Sequence, residues 1–281
     1  MIVDTHTHLR APIQGVAQNG RKNIYGVADE RIDGYLAGFE ENGVDACWVF
    51  PLEGFRADTF ALEEMESLAR VCGRYPNRLF PFATIPPMWP EKKVCEMIER
   101  AIGELGFFGL KFVNICQGVS LANPSMDLIA REAIRFDVPV FLHDGSPEYC
   151  SAIQVVYYAR KHPELRVVSG HGGLREFWPE FIDGVRELPN LQICLSGPTQ
   201  WGIQKLYDEL GPDRLMFGSD GGIGSHAITR AYLRRLARLE ASEEDRRKIM
   251  GTNGMRFLFG EDWENVMAEK KSMARTSNPG E

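Results

Sequence analysis

No stretch of this sequence approaches the roughly 18 consecutive apolar residues of a membrane-spanning helix. Its opening residues, Met1-Ile2-Val3-Asp4, lack the basic and apolar regions of a secretory leader. A membrane partner is therefore not expected, and a cytoplasmic setting is. Cysteine is sparse: there are six, Cys47, Cys72, Cys95, Cys116, Cys150 and Cys194, with no C-x-x-C pair. Several sit in apolar runs such as Asp45-Ala-Cys-Trp-Val-Phe50, so buried reduced thiols are expected rather than disulfides or a zinc knuckle. Basic clusters are short (Arg234-Arg235, Lys270-Lys271) and the formal charge is −7. A nucleic-acid partner, which needs a concentrated basic surface, is not expected. No G-x-G-x-x-G follows the first strand-like run, which removes the main support for a dinucleotide fold.

What is present describes an ordinary soluble α/β chain. Of 281 residues, 44% are hydrophobic and 25% charged. Short β-branched or aromatic runs alternate with amphipathic stretches. The predicted strands are Met1–Thr5, Asp45–Phe50, Leu79–Thr84, Gly109–Val113, Pro139–His143, Arg166–Ser169, Leu191–Leu195 and Arg214–Gly218. Helical spacing marks Phe60–Tyr75, Glu91–Leu105, Ala227–Leu239 and Glu243–Phe259 among others. Near-continuous apolar strands suit a parallel sheet covered on both faces. Eight of them, with helices between, favour a closed (β/α)8 TIM barrel over an open sheet. We read a single domain over residues 1–265. A long polar β1–α1 loop (residues 9–30) reads as a lid or a linker, and a polar tail (266–281) is expected to be disordered.

Six histidines occur, and four of them end predicted strands. In Asp4-Thr-His-Thr-His8 the two-residue period of a strand puts His6 and His8 on one face, where two imidazoles can share one metal ion. His143 closes Val138-Pro-Val-Phe-Leu142, His171 closes Leu165-Arg-Val-Val-Ser-Gly170, and Asp220 closes Leu215-Met-Phe-Gly-Ser219; glycines follow each closely. Strand carboxyl ends converge on one rim of a barrel, where active sites form. Singly, each would be a hydrogen-bonded structural residue; together they point to a metal centre. His162 falls in a polar loop at the opposite rim and reads as exposed and structural. His226, after the eighth strand, either reaches the mouth as a substrate contact or starts a helix.

In this order the motifs resemble the amidohydrolase superfamily, in its amidohydrolase-2 branch, from Ile2 to about Phe259. The resemblance rests on Asp4-Thr-His-Thr-His8, Gly106-Phe-Phe-Gly-Leu-Lys111, Pro139-Val-Phe-Leu-His143 and Pro163-Glu-Leu-Arg-Val-Val-Ser-Gly-His171. It continues through Arg214-Leu-Met-Phe-Gly-Ser-Asp220 to the closing Lys248-Ile-Met-Gly-Thr-Asn253-Gly-Met-Arg-Phe-Leu258. It implies metal ligands at His6, His8, His143 and Asp220, with His171 beside the reacting oxygen. One divalent ion is expected: Zn2+ first, Mn2+ or another divalent ion as alternatives. Lys111 matches a lysine that binuclear relatives carboxylate to bridge two metals; in this branch it can instead hold a substrate anion. Gly221-Gly222 replaces the aromatic or Pro-Trp of many relatives, which predicts a wider pocket.

Such an ion lowers the pKa of a bound water from roughly 15.7 to about 7. Asp220 can take the proton, and His171 can donate to the oxygen that turns negative. The first expectation is therefore hydrolysis of a C–N or C–O bond (an amide, a lactone or a related group) in a small polar substrate. The alternative is non-oxidative decarboxylation of an aromatic or muconate-type acid, with Arg10 and Arg56 on its carboxylate unless they are solvated loop charges. A third reading is a non-catalytic ligand-binding barrel. Trp201, with Phe55 and Trp89, lines the pocket or simply packs. A homo-oligomer is left open.

Overall fold

The computed structural model describes residues 1–11, 32–52, 55, 61–175, 177–222 and 226–269. Its centre is an eight-stranded parallel sheet in sequence order: β1 (Val3–His8), β2 (Ala46–Phe50), β3 (Leu79–Ala83), β4 (Gly109–Phe112), β5 (Val140–Leu142), β6 (Val167–Ser169), β7 (Leu191–Cys194) and β8 (Leu215–Met216). The ring closes through a bridge between Thr7 and Gly221, with Thr5 N donating to Phe217 O at 3.0 Å and His8 N to Gly221 O at 2.8 Å. This is a TIM barrel, as the strand pattern predicts.

Helices follow the strands: α1 (Ile32–Glu40), α2 (Ala61–Cys72), α3 (Glu91–Glu99), α4 (Asn114–Gln117), α5 (Pro124–Arg135), α6 (Ala152–Lys161), α7 (Pro179–Glu187), α8 (Gln200–Leu210) and α9 (Ala227–Ala237). Two more, α10 (Glu243–Arg247) and α11 (Asn253–Phe259), complete the named set. Local chemistry sets several starts: Ser151 and Gln154 form a reciprocal capping box on α6, and Asn123 and Pro124 open α5. Two stretches expected as single helices are interrupted by wide π turns, at Arg100–Glu104 and Lys248–Thr252. In the second, Gly251 lies so close to β1 that a Cβ there would sit 2.5 Å from Met1 O.

Alternation along the strands builds two apolar layers. Trp48, Phe50, Phe80, Phe82 and Phe141 point inward and fill the barrel. Trp48 stacks on Phe82 at 5.1 Å, and Phe50 meets Phe141 at 4.6 Å. Their neighbours Cys47, Val49, Leu79, Leu110, Phe112, Val140 and Leu142 point outward into the helices. Each fully buried ring or branched chain contributes roughly 1.5–3 kcal/mol.

Trp263 and Met267, on a helix over residues 263–269, pack on the interior cluster. Helical order thus runs past residue 265, where the sequence reading ends the domain. Residues 270–281 and most of the expected 9–30 loop lie outside the described residues. Among those described, no helix is long and apolar enough to cross a membrane. Cys47, Cys72, Cys150 and Cys194 are buried free thiols, as expected; Cys95 is half-buried and Cys116 exposed.

Candidate metal centre

A period of two places His6 and His8 together but does not say which way they face. Val3 pairs with inward Ala46, so plain alternation would turn Thr5 and Thr7 inward and both histidines out. The register prevents this: from Asp4 to Thr7 β1 advances three residues, while β2 advances two, from Cys47 to Val49. That extra residue is a bulge. It flips the parity, so that His8 lies opposite inward Phe50 and His6 packs against Phe50 and Phe141 at 5.3 and 4.9 Å.

Across the mouth, Asp220 adopts the left-handed backbone region (φ 56°), which few residues other than glycine occupy. That conformation carries its Oδ1 to 3.2 Å from both His6 Nε2 and His8 Nε2. Divalent ions with bonds of about 2.1 Å hold neighbouring donors roughly 3.0–3.4 Å apart, so the set has the spacing of a shared ion. Among the described residues, His6, His8 and Asp220 are the group able to hold one.

Hydrogen bonds decide what these atoms offer. A neutral imidazole has one N–H. His6 Nδ1 lies 3.0 Å from Gly170 O and 3.1 Å from Ser196 Oγ, and His8 Nδ1 lies 3.2 Å from Pro51 O. Donation at Nδ1 leaves lone pairs at both Nε2 atoms, facing a carboxylate oxygen. Burial, reinforced by the Lys111 ammonium, holds His6 well below the usual histidine range, so a second proton is disfavoured there. Burial pushes the Asp220 carboxyl up, although its side chain is still 32% exposed; a proton on His6, His8 or His171 is what would draw it below the ordinary carboxylate range. At neutral pH several acceptors converge, an arrangement that a cation relieves.

A second layer fixes the first. Ser196 Oγ donates to Gly170 O at 2.7 Å and lies 3.0 Å from His171 Nδ1, which must therefore donate to it. His171 Nε2 then accepts from His143 Nδ1 at 2.8 Å, leaving His143 Nε2 with its lone pair. Burial lowers both rings, well below the usual range for His143. The sequence reading puts His143 among the ligands; the structure pairs it with His171, outside the His6–His8–Asp220 group.

Sequence reasoning passes over Ser196, Asp144 and Asp4. Asp144, read as a turn residue, is fully buried and accepts from His171 N (2.8 Å), Gly173 N (2.6 Å) and Ser169 Oγ (2.9 Å). Asp4 accepts from Ser219 N and Oγ at 2.9 and 2.5 Å, tying β1 to the turn before Asp220, and burial pushes it up to about 7. Lys111 is fully buried, with Nζ 3.3 Å from His6 Nε2, and burial pushes it down to about 8.

Other expected site residues divide. Phe55 meets His8 edge-on at 6.0 Å, and Arg10, half-buried, follows His8 by two residues. Trp89 carries the Lys93 ammonium over its ring. Trp201 is 62% exposed and packs on Trp178, not on the imidazoles. His226 starts α9 and packs edge-on against Phe39 of α1 at 4.7 Å, which favours the helix-start reading over a substrate contact. Arg56 lies outside the described residues. His162 is structural as expected, yet mostly buried: its Nε2 lies 3.0 Å from Asp127. Nor do the paired glycines simply open the pocket. A Cβ on Gly222 (φ +83°) would fall 2.0 Å from His8 O, so glycine lets this turn seal against β1. A cavity of about 860 Å3 does open at the opposite rim, by Met1, Val44 and Trp263, but its Arg78 and Glu40 are already paired.

The amidohydrolase family model matches residues 3–260. The chain belongs to the amidohydrolase family. Two curated proteins resemble this amidohydrolase, both gamma-resorcylate decarboxylases. That of Rhizobium radiobacter is 25% identical over 261 residues, covering 72% of this chain and 77% of its own. That of Rhodococcus jostii (strain RHA1) is 26% identical over 222 residues, covering 59% and 67%. Among solved structures, a dihydroxybenzoic acid decarboxylase from Polaromonas sp. JS666, with bound manganese and the inhibitor 2-nitroresorcinol, superposes with a TM-score of 0.71. It is 17% identical and covers 92% of this chain and 96% of its own. At that identity the likeness speaks for the fold.

Proposed function

We propose that this amidohydrolase is a metal-dependent, non-oxidative decarboxylase of a small aromatic hydroxy acid. The observation that carries the metal half is the convergence of two imidazole lone pairs and a carboxylate oxygen with 3.2 Å between donors. The reaction type is supported by the two curated relatives, which are decarboxylases by name. Hydrolysis, the first expectation from the residues, draws no support from them. Manganese accompanies three solved structures of this fold, and zinc draws no comparable support.

His6, His8 and Asp220 would hold the ion, and His143 Nε2 is the expected fourth donor. Bound there, a divalent ion supplies the positive charge that orients a carboxylate and an adjacent hydroxyl. Within the cluster, His6, His8 and His171 are buried, whereas Asp220 and His143 keep some exposure and can reach a bound molecule. Cleaving the bond to the carboxylate requires the ring carbon to gain a proton as carbon dioxide leaves. Asp220, beside the ion and partly open to solvent, is the group placed to take a proton from water and pass it to that carbon.

Incubation of manganese-loaded protein with gamma-resorcylate tests the proposal. Expected are carbon dioxide release, one deuterium at the vacated ring carbon in deuterated water, and no labelled oxygen in the organic product from heavy-oxygen water. Labelled oxygen incorporated across a cleaved bond would return the assignment to hydrolysis.

A further inference from the structure

The chain leaves β6 through three successive residues in the left-handed backbone region: Gly172, Gly173 and Leu174, with φ of 55°, 82° and 56°. Glycine occupies that region freely, and aspartate or asparagine can, through a short polar side chain that bonds locally. Leucine has neither advantage. The other non-glycine residues with positive φ among those described, Asp137 and Asp220, are both aspartates. Leu174 is thus a bulky side chain held against the preference of its own backbone, a condition that persists only where the surroundings fix it. Here Leu174 N donates to His171 O at 3.0 Å, and Gly173 N to Asp144 Oδ2 at 2.6 Å.

Neighbouring loops make room for the side chain. A Cβ on Gly145, two residues past His143, would fall 2.3 Å from Leu174 Cγ and Cδ1, and one on Gly197, just past Ser196, would fall 2.9 Å from Leu174 Cα. Yet the leucine is not core: it is half-buried, and among the described residues it joins neither apolar layer of the barrel. Its place is the rim. The loop after His171 carries it, and it lies on the loop after His143, the member of that hydrogen-bonded pair that keeps some exposure. We propose that Leu174 determines specificity, its isobutyl group forming an apolar wall against which the aromatic ring of the substrate lies. The ring comes from the reading above, on which this inference rests. A fixed aliphatic wall offers contact area and no hydrogen bond, so it favours a hydroxy acid with a ring over one without.

The test uses the full manganese-loaded chain with salicylate, a hydroxy acid that carries a ring, and glycolate, one that does not. Leu174→Asn relieves the backbone and removes the apolar wall, whereas Leu174→Met keeps the apolar bulk. Salicylate should bind Leu174→Asn at least roughly tenfold more weakly than wild type. Glycolate and manganese should bind it as before, and Leu174→Met should retain most of the salicylate affinity. Leu174→Asn should melt at or above the wild-type temperature, because asparagine suits the left-handed region. A clearly lower melting temperature would assign the leucine to packing and overturn the proposal. So would salicylate affinity that ignores the substitution, or a wild type that binds glycolate as tightly as salicylate. Leu174→Ala, which keeps a Cβ and its strain but loses the wall, repeats the binding comparison independently of that stability effect. No carbon dioxide from gamma-resorcylate, with the preference for salicylate intact and lost on substitution, would sink the reaction type and leave the ring contact standing, so the two failures are read apart.

Discussion

At the scale of single residues, Ser196 is the least conspicuous part of the centre and the most connected. One hydroxyl lies within 3.1 Å of His6 Nδ1, His171 Nδ1 and Gly170 O, and so sets the tautomer of His171 and supports that of His6, which Gly170 O also holds. Ser196→Ala should lower manganese affinity by about 10–100-fold, the usual effect of removing a group that orients a ligand. It should cost about 1–3 kcal/mol of stability by leaving the buried His171 Nδ1 short of a partner, whereas His6 Nδ1 keeps Gly170 O at 3.0 Å. Nitrogen NMR should show the His171 tautomer change, and Ser196→Thr should restore it; an unaltered His171 spectrum in the alanine variant would remove Ser196 from this role. The rule that exposed the histidines, polar residues at strand carboxyl ends, applies equally to Ser196, one residue past the apolar run of β7. Serine was passed over because it is common and carries no charge. Asp144 hid for another reason: Asp-Gly is turn chemistry in any sequence, and nothing local shows that its carboxylate will reach the backbone after β6.

At the scale of elements, the eight strands were legible because buried parallel strands are continuously apolar. The direction in which β1 presents its histidines was not. It depends on a bulge defined by pairing with β2, and pairing is a non-local property. Gly222 shows the same dependence: absent aromatics at 221 and 222 suggest space, whereas the fold uses the glycine to bring the turn after β8 against β1. Gly222→Ala should destabilise the protein by about 2 kcal/mol or more, combining a left-handed backbone penalty with a clash on His8 O. A urea titration would measure this, and an unchanged midpoint would mean the seam is looser than described.

On the outer layer, Asp127 of α5 receives Lys161 and His162 from the end of α6 at 2.7 and 3.0 Å. Burial would raise its carboxyl, but these hydrogen bonds outweigh burial and hold it below the usual range. A carboxyl with a folded pKa below its unfolded one, about 3.9, stabilises the fold fully above that unfolded value. The stabilisation fades as pH falls through the folded value. Asp127→Asn should therefore cost about 0.5–1 kcal/mol at pH near 7 and almost nothing in strong acid. An equal cost in both conditions would assign the loss to packing instead of charge.

For the whole molecule, the position of the proposed metal group matters as much as its composition. His6 and His8 belong to β1, Asp220 follows β8, and these are the two strands that must meet to close the ring. That seam is thin: β8 has two residues, and the ladder to β1 is reduced to one bridge and a few backbone hydrogen bonds. An ion held across it would join the first strand to the last and act on global stability as well as on chemistry. Ligand at about 100 times its Kd stabilises a fold by about 2.7 kcal/mol. For a domain near this size that corresponds to roughly 5–10 °C in melting temperature. Saturating manganese should raise the wild-type melting point by that amount. Asp220→Asn should lose most of the shift while keeping its metal-free melting point close to wild type, since asparagine tolerates the left-handed backbone of position 220. A wild-type melting point indifferent to manganese would show that the seam is closed by protein alone, and that these three side chains meet for some other reason.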